Sequence, residues 1–127
     1  MENIDNIKIR KFTDLIVWRE AHKLVLIIYK CTKFFPYDEK FGLVSQMRRS
    51  AVSITSNVAE GFSRKSFREK IQFYYVSKSS LTELQNQLII SKDIEYIRMS
   101  DYCKIDELIT IVDKLLTGII RKSKTLC

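Results

Sequence analysis

Apolar residues recur along this chain at alternating spacings of three and four, the period of a helix that buries one face. The first such run is Leu15, Trp18, Ala21, Val25 and Ile28, with Val17, Leu24 and Ile27 widening the face beyond one seam. The second is Val44, Met47, Ala51, Ile54 and Val58. The third is Phe67, Ile71, Tyr74, Leu81, Leu84, Leu88 and Ile94, interrupted by Ser77, Lys78, Ser79 and Ser80. The fourth is Ile105, Leu108, Val112, Leu115 and Ile119. Helix signals bracket these runs. Thr13, Asp38, Ser66 and Ser100 or Asp101 are expected N-caps, Ser66 and Glu69 have capping-box spacing, and Gly61 is an expected stop. The predicted helices are about 13–34, 39–60, 67–95 and 101–121. Residues 1–12 read as a short arm and 121–127 as a basic, frayed tail.

Only 3 Gly and 1 Pro punctuate 127 residues, so the connections are few and short. The pattern predicts an all-α fold, a single antiparallel up-down-up-down four-helix bundle over residues 1–127. A three-helix bundle with a separate fourth helix is the alternative. The longest apolar run, Leu24 to Tyr29, is too short to span a bilayer. The N-terminus lacks the apolar core of a signal peptide. These features, with three widely spaced cysteines, predict a cytoplasmic protein with reduced thiols and no membrane association. Cys31 and Cys103 fall near one end of such a bundle and read as buried thiols.

One polar pattern stands out. Gln46, Ser50, Ser53, Asn57 and Glu60 repeat at the spacing of the second seam and lie beside it. A face that meets only water is usually rich in Lys and Glu, whereas Ser and Asn are mediocre helix formers. A row of small polar residues implies that something packs there. Glu60, disfavoured by the helix dipole at that end, needs a cationic partner such as Arg64, Arg49 or a neighbouring subunit's arginine.

Charge narrows the function. The chain has 22 basic and 15 acidic residues, net +7. Between Lys40 and Lys78 there are eight basic residues and two acidic, a net +6, leaving +1 elsewhere. Arg48, Arg49, Arg64, Lys65, Arg68 and Lys70 are candidate phosphate contacts, with Ser63, Ser66 and the start of the third helix as further anion donors. Tyr74 and Tyr75 lie nearby, at a spacing that suits a core helix as well as base stacking. Catalysis finds little support. The lone histidine, His22, has Glu20 two residues away on a different face, so no oriented acid–base pair forms. No metal-ligand spacing or glycine-rich phosphate loop occurs, so no metal or cofactor is expected.

The order of motifs resembles a known family. F-x-D-L-x-V-W-R-E-A at Phe12–Ala21, F-P-x-x-E-x-F-G-L-x-x-Q-x-R-R-S-A-V-S-I at Phe35–Ile54, S-N-V-A-E-G at Ser56–Gly61 and S-K-S-S-L-T-E-L in the third helix are similar to the bacterial four helix bundle protein family. Its founding members are encoded in intervening sequences of 23S rRNA genes. The family is similar to the accessory variability determinant of diversity-generating retroelements. The resemblance covers about residues 12–120 and implies a four-helix bundle, a barrel-shaped homopentamer, and RNA, DNA or a reverse transcriptase as partners. It places Gln46, Ser50, Ser53, Asn57 and Glu60, with the wide face of the first helix and the third-helix serines, at an interface between subunits. Two readings stay open: a non-enzymatic, oligomeric nucleic-acid-binding accessory protein, or a homo-oligomeric scaffold that touches only protein.

Overall fold

The computed structural model describes residues 8–127; part of the expected arm, residues 1–7, lies outside the described residues. Four helices follow in order: α1 (Ile16–Thr32), α2 (Leu43–Ser63), α3 (Phe67–Asp93) and α4 (Met99–Thr125). Short 3-10 turns at Phe12–Asp14 and Tyr37–Glu39 precede α1 and α2. No strand occurs among the described residues. Each helix packs on the next, and α4 closes the ring against α1. Cross-helix contacts fix the antiparallel order: Arg48 meets Thr32, Ser77 meets Ile54, and Lys78 meets Asp113.

The core is one continuous cluster drawn from all four helices. The α2 seam is buried as its spacing requires, from Val44 through Met47, Ala51 and Ile54 to Val58. Fully burying a Leu or Ile side chain stabilises by about 1.5–3 kcal/mol. In α3 the seam does not break at the serines, because Ser77 and Ser80 are themselves buried. Ser77 donates its hydroxyl to the Ile54 carbonyl at 2.8 Å, and Ser91 to the Gln87 carbonyl at 2.9 Å. A small side chain that satisfies its own hydroxyl lets the facing backbone come close. In α4 the buried line is Ile105, Ile109, Val112, Leu116 and Ile120, one residue on from the expected seam at Leu108, Leu115 and Ile119. Leu108, Leu115 and Ile119 are half-buried at its edge, and Ile94 lies beyond α3, exposed.

Several expected helix ends shift. Thr13 does not cap α1; it lies in the 3-10 turn, where Asp14 instead accepts the Arg10 and Lys11 N–H groups at 3.0 Å. Those bonds to the charged form hold the Asp14 carboxyl below its ordinary pKa. Asp38 does not cap α2, which starts five residues later. Glu39 reaches across the turn, and its carboxylate accepts from the Leu43 N–H at 3.1 Å and the Tyr96 hydroxyl at 3.0 Å. Gly61 does not stop α2: the helix runs on to Ser63. A Cβ on Gly61 would lie 2.6 Å from the Tyr74 ring, so glycine serves close α2–α3 approach there. Ser66 caps α3 as expected, accepting from Glu69 N–H at 3.2 Å. Residues 121–125 are helical, so the basic tail extends α4. Cys103 is exposed, and Cys31 is half-buried between α1 and α4.

Candidate nucleic-acid interface

The six basic residues expected to bind phosphate do not form one patch. Arg48 and Arg49 sit near the start of α2, and Arg64 sixteen residues on, about 24 Å along the axis. Arg48 is held inside the subunit. Its Nε donates to Thr32 Oγ1 at 2.9 Å, a terminal nitrogen donates to the Tyr29 carbonyl at 3.3 Å, and the guanidinium lies 4.6 Å from the Tyr29 ring centroid. It thereby ties α2 to the last turn of α1, where free carbonyls favour a cation. Arg49 is exposed.

At the other end, Arg64 stacks on Phe73 at 4.6 Å and approaches Glu60 at 3.8 Å, which supplies the cation that Glu60 needs. Lys70 donates to the Phe62 carbonyl at 2.7 Å and so closes the C-terminus of α2; its partial burial lowers its pKa. Ser63 donates to the Glu60 carbonyl at 2.6 Å, and the Ser66 hydroxyl is engaged by Glu69. These groups build the turn. Lys65 and Arg68 are exposed and form no ion pair with the described residues.

Up-down topology adds what linear reading missed. The start of α1, the end of α2, the start of α3 and the end of α4 all lie at one end of the bundle. Residues 8–15, 60–70 and 121–127 hold ten basic side chains and three acidic ones, a net +7; the rest of the described residues, 16–59 and 71–120, hold twelve basic and ten acidic. Most of the net charge of the described residues, +7 of +9, therefore gathers there. Of these ten cations, Arg64 alone has a carboxylate within 4 Å among the described residues. A groove between α3 and α4 leads from this end, lined by Tyr75, Lys78, Thr117, Arg121 and Lys124. Lys124 lies 5.4 Å from the Tyr75 ring centroid, and Tyr75 is 44% exposed. Tyr74 is buried, which raises its phenol pKa. The signal available in sequence was the run Arg121, Lys122 and Lys124 at helical spacing from the fourth seam.

The polar stripe of α2 also acquires a neighbour. Ser50 is buried, Ser53 shares a 2.8 Å hydrogen bond with Ser80 of α3, and Asn57 donates to the Ser53 carbonyl at 2.8 Å. What packs on the middle of the stripe is α3 of the same chain. Gln46 and Glu60, at its two ends, are exposed. His22 stacks on Trp18 at 4.7 Å, and Glu20 pairs with Lys23 at 2.9 Å. Among the described residues no three His, Cys, Asp or Glu side chains are grouped to hold a metal ion, and no helix is long and apolar enough to cross a membrane.

A four-helix bundle with this motif order defines a known class of protein. Residues 13–118 match the 23S rRNA-intervening sequence protein family, and the chain belongs to that family. Among solved structures it is similar to a protein of unknown function from the S23 ribosomal protein family of Bacteroides thetaiotaomicron. The two are 26% identical with a TM-score of 0.77, over 84% of this chain and 96% of that one. No curated protein matches.

Proposed function

We propose that this protein is a non-enzymatic accessory protein that binds the backbone of RNA or DNA through its basic end. The observation that carries the reading is the segregation of charge: a net +7 gathers where α1 begins, α2 turns into α3 and α4 ends, with one paired carboxylate among the described residues. Closely spaced unpaired cations repel one another, and a polyanion relieves that repulsion by releasing its counterions. Lys65, Arg68, Arg121 and Lys124 are the free contacts; Arg64 and Lys70 hold the turn that displays Lys65 and Arg68. The names of the family and of the Bacteroides protein refer to 23S rRNA and to ribosomal proteins, in keeping with RNA as the polyanion.

Self-association completes the reading. Leu108, Ile111, Leu115 and Gly118 follow one another on the outer side of α4, with Ile111 46% exposed and both leucines half-buried. A ring of five subunits would join the basic ends into one extended surface and raise avidity without any new contact. Light scattering is expected to give about five times the 15.0 kDa subunit mass.

An electrophoretic mobility shift over a salt series tests the function. Duplex RNA is expected to bind with a steep inverse dependence on salt. The variant Lys65→Glu/Arg68→Glu/Arg121→Glu/Lys124→Glu is expected to lose roughly three units of that log–log slope. Unchanged binding by the variant sinks the basic-end reading. Absence of wild-type binding at 50 mM salt favours the scaffold reading, in which a protein such as a reverse transcriptase is the target.

A further inference from the structure

The opposite end of the bundle carries a different surface. The α1–α2 connection is a hydrogen-bonded turn: Glu39 N–H donates to Pro36 O at 2.9 Å, Lys40 N–H to Tyr37 O at 3.0 Å, and Gly42 N–H to Glu39 O at 3.0 Å. Phe35 anchors it, buried and 5.3 Å from the Tyr96 ring. From this fixed base Tyr37 and Phe41 project into solvent, 80% and 86% exposed. Lys40 lies between them, its Nζ 5.8 Å from the first ring centroid and 5.4 Å from the second. Two adjoining grooves flank the rings, of about 470 and 180 Å³, sharing Lys40, Val44 and Arg48. Tyr29 and Arg49 line the larger and Lys33 the smaller. Among the described residues no carboxylate lines either groove, and the Glu39 carboxylate is turned away to Leu43 and Tyr96.

We propose that this corner is a second nucleic-acid site, one that stacks the unpaired bases of a single strand on Tyr37 and Phe41 while Lys33, Lys40 and Arg49 meet its phosphates. Single surface apolar residues are ordinary. Two almost fully exposed rings on a rigid turn, with cations between and beside them and no anion in either groove, are complementary to a strand that alternates flat bases with phosphates. Base stacking tolerates any sequence, because every base has a π face. A bound acidic peptide would satisfy the cations but leave the rings with little to do. This site is distinct from the basic end, and either can fail while the other holds. Acting together, they would let one bundle hold a duplex at one end and its unpaired flank at the other.

The test is fluorescence anisotropy of the full chain with a fluorescein-labelled twelve-nucleotide oligo(U), beside a twelve-base-pair RNA duplex. Tyr37→Ala/Phe41→Ala is expected to weaken oligo(U) binding roughly tenfold for each ring lost, with duplex binding and melting temperature unchanged. Tyr37→Phe/Phe41→Tyr is expected to retain binding, because it keeps both π faces. Lys65→Glu/Arg68→Glu is expected to weaken the duplex while preserving the ratio between wild type and ring variant on oligo(U). Oligo(U) binding that the alanine variant leaves unchanged overturns the proposal, as does wild-type protein that fails to bind oligo(U) at 50 mM salt. A glutamate-rich peptide that binds in a ring-dependent way while oligo(U) does not would reassign the corner to a protein partner.

Discussion

Between α2 and α3 the chain places serines where a bundle commonly places leucines. Along the outside of α4 it places isoleucine and leucine where a surface commonly carries lysine and glutamate. The first arrangement works because most of these small side chains find partners as the backbones close, the buried Ser50 hydroxyl being without one among the described residues. Ser77 reaches the Ile54 carbonyl, Ser80 reaches Ser53, and Gly61 leaves room for the Tyr74 ring. The second leaves Ile111 exposed and Leu108 and Leu115 half-covered by the described residues. The contrast teaches that polarity alone does not mark an outward face, nor apolarity an inward one. Geometry decides: small polar residues suit a close helix pair, and large apolar ones can sit at the edge of a core, partly in water.

The sharpest way to break this contrast is to overfill the tight seam. Ser77 is fully buried against α2. Ser77→Leu adds volume that the seam cannot accept and removes the bond to Ile54. The expected destabilisation is about 2–4 kcal/mol, seen in thermal unfolding as a fall of roughly 10 °C at fixed protein concentration. A change below about 0.5 kcal/mol, the size expected at an ordinary surface position, would mean that the seam is no tighter than the α4 face.

A smaller effect separates packing within a subunit from packing between subunits. Ser53→Ala removes one side of the 2.8 Å bond to Ser80 and the 3.1 Å contact from Asn57. The expected loss is about 1 kcal/mol of subunit stability, with the same mass in solution by light scattering. Dissociation of an assembly without loss of subunit stability would instead return the stripe to a subunit interface.

The residues of these two regions differ in how much they disclosed in advance. The Val44–Val58 seam was legible because its spacing is regular and its side chains are large, and the four-helix order followed from regular seams and scarce Gly and Pro. The stripe Gln46, Ser50, Ser53, Asn57 and Glu60 announced a close neighbour but not its identity. A serine that packs on the next helix and one that packs on another subunit look the same in sequence. Helix ends moved where a neighbouring side chain took over a cap, as when Glu39 rather than Asp38 satisfied the start of α2. The basic end was only half legible. Lys65 and Arg68 lie in the basic centre of the sequence, whereas Arg121 and Lys124 join them only through the antiparallel return of α4. Linear charge counting also could not tell Arg48, tied to Thr32 and Tyr29, from Arg49, exposed.

The smallest expected effect probes the open side of the contrast. Gly118 lies in the interior of α4, and a Cβ added there would meet nothing within 4 Å. Within one subunit, glycine at this position only weakens the helix, so Gly118→Ala is expected to stabilise by about 0.5–1 kcal/mol. The sign changes if a second helix lies across Ile111, Leu115 and Gly118, because the added methyl then meets the partner's backbone. A concentration series distinguishes the cases. With self-association through this face, Gly118→Ala raises the melting temperature in dilute protein but gives no gain, or a loss, at high concentration. Gly118→Leu then shifts the light-scattering mass toward a single subunit. Equal stabilisation at every concentration, with Gly118→Leu leaving the mass unchanged, would show that α4 faces only water here and that the subunits meet elsewhere.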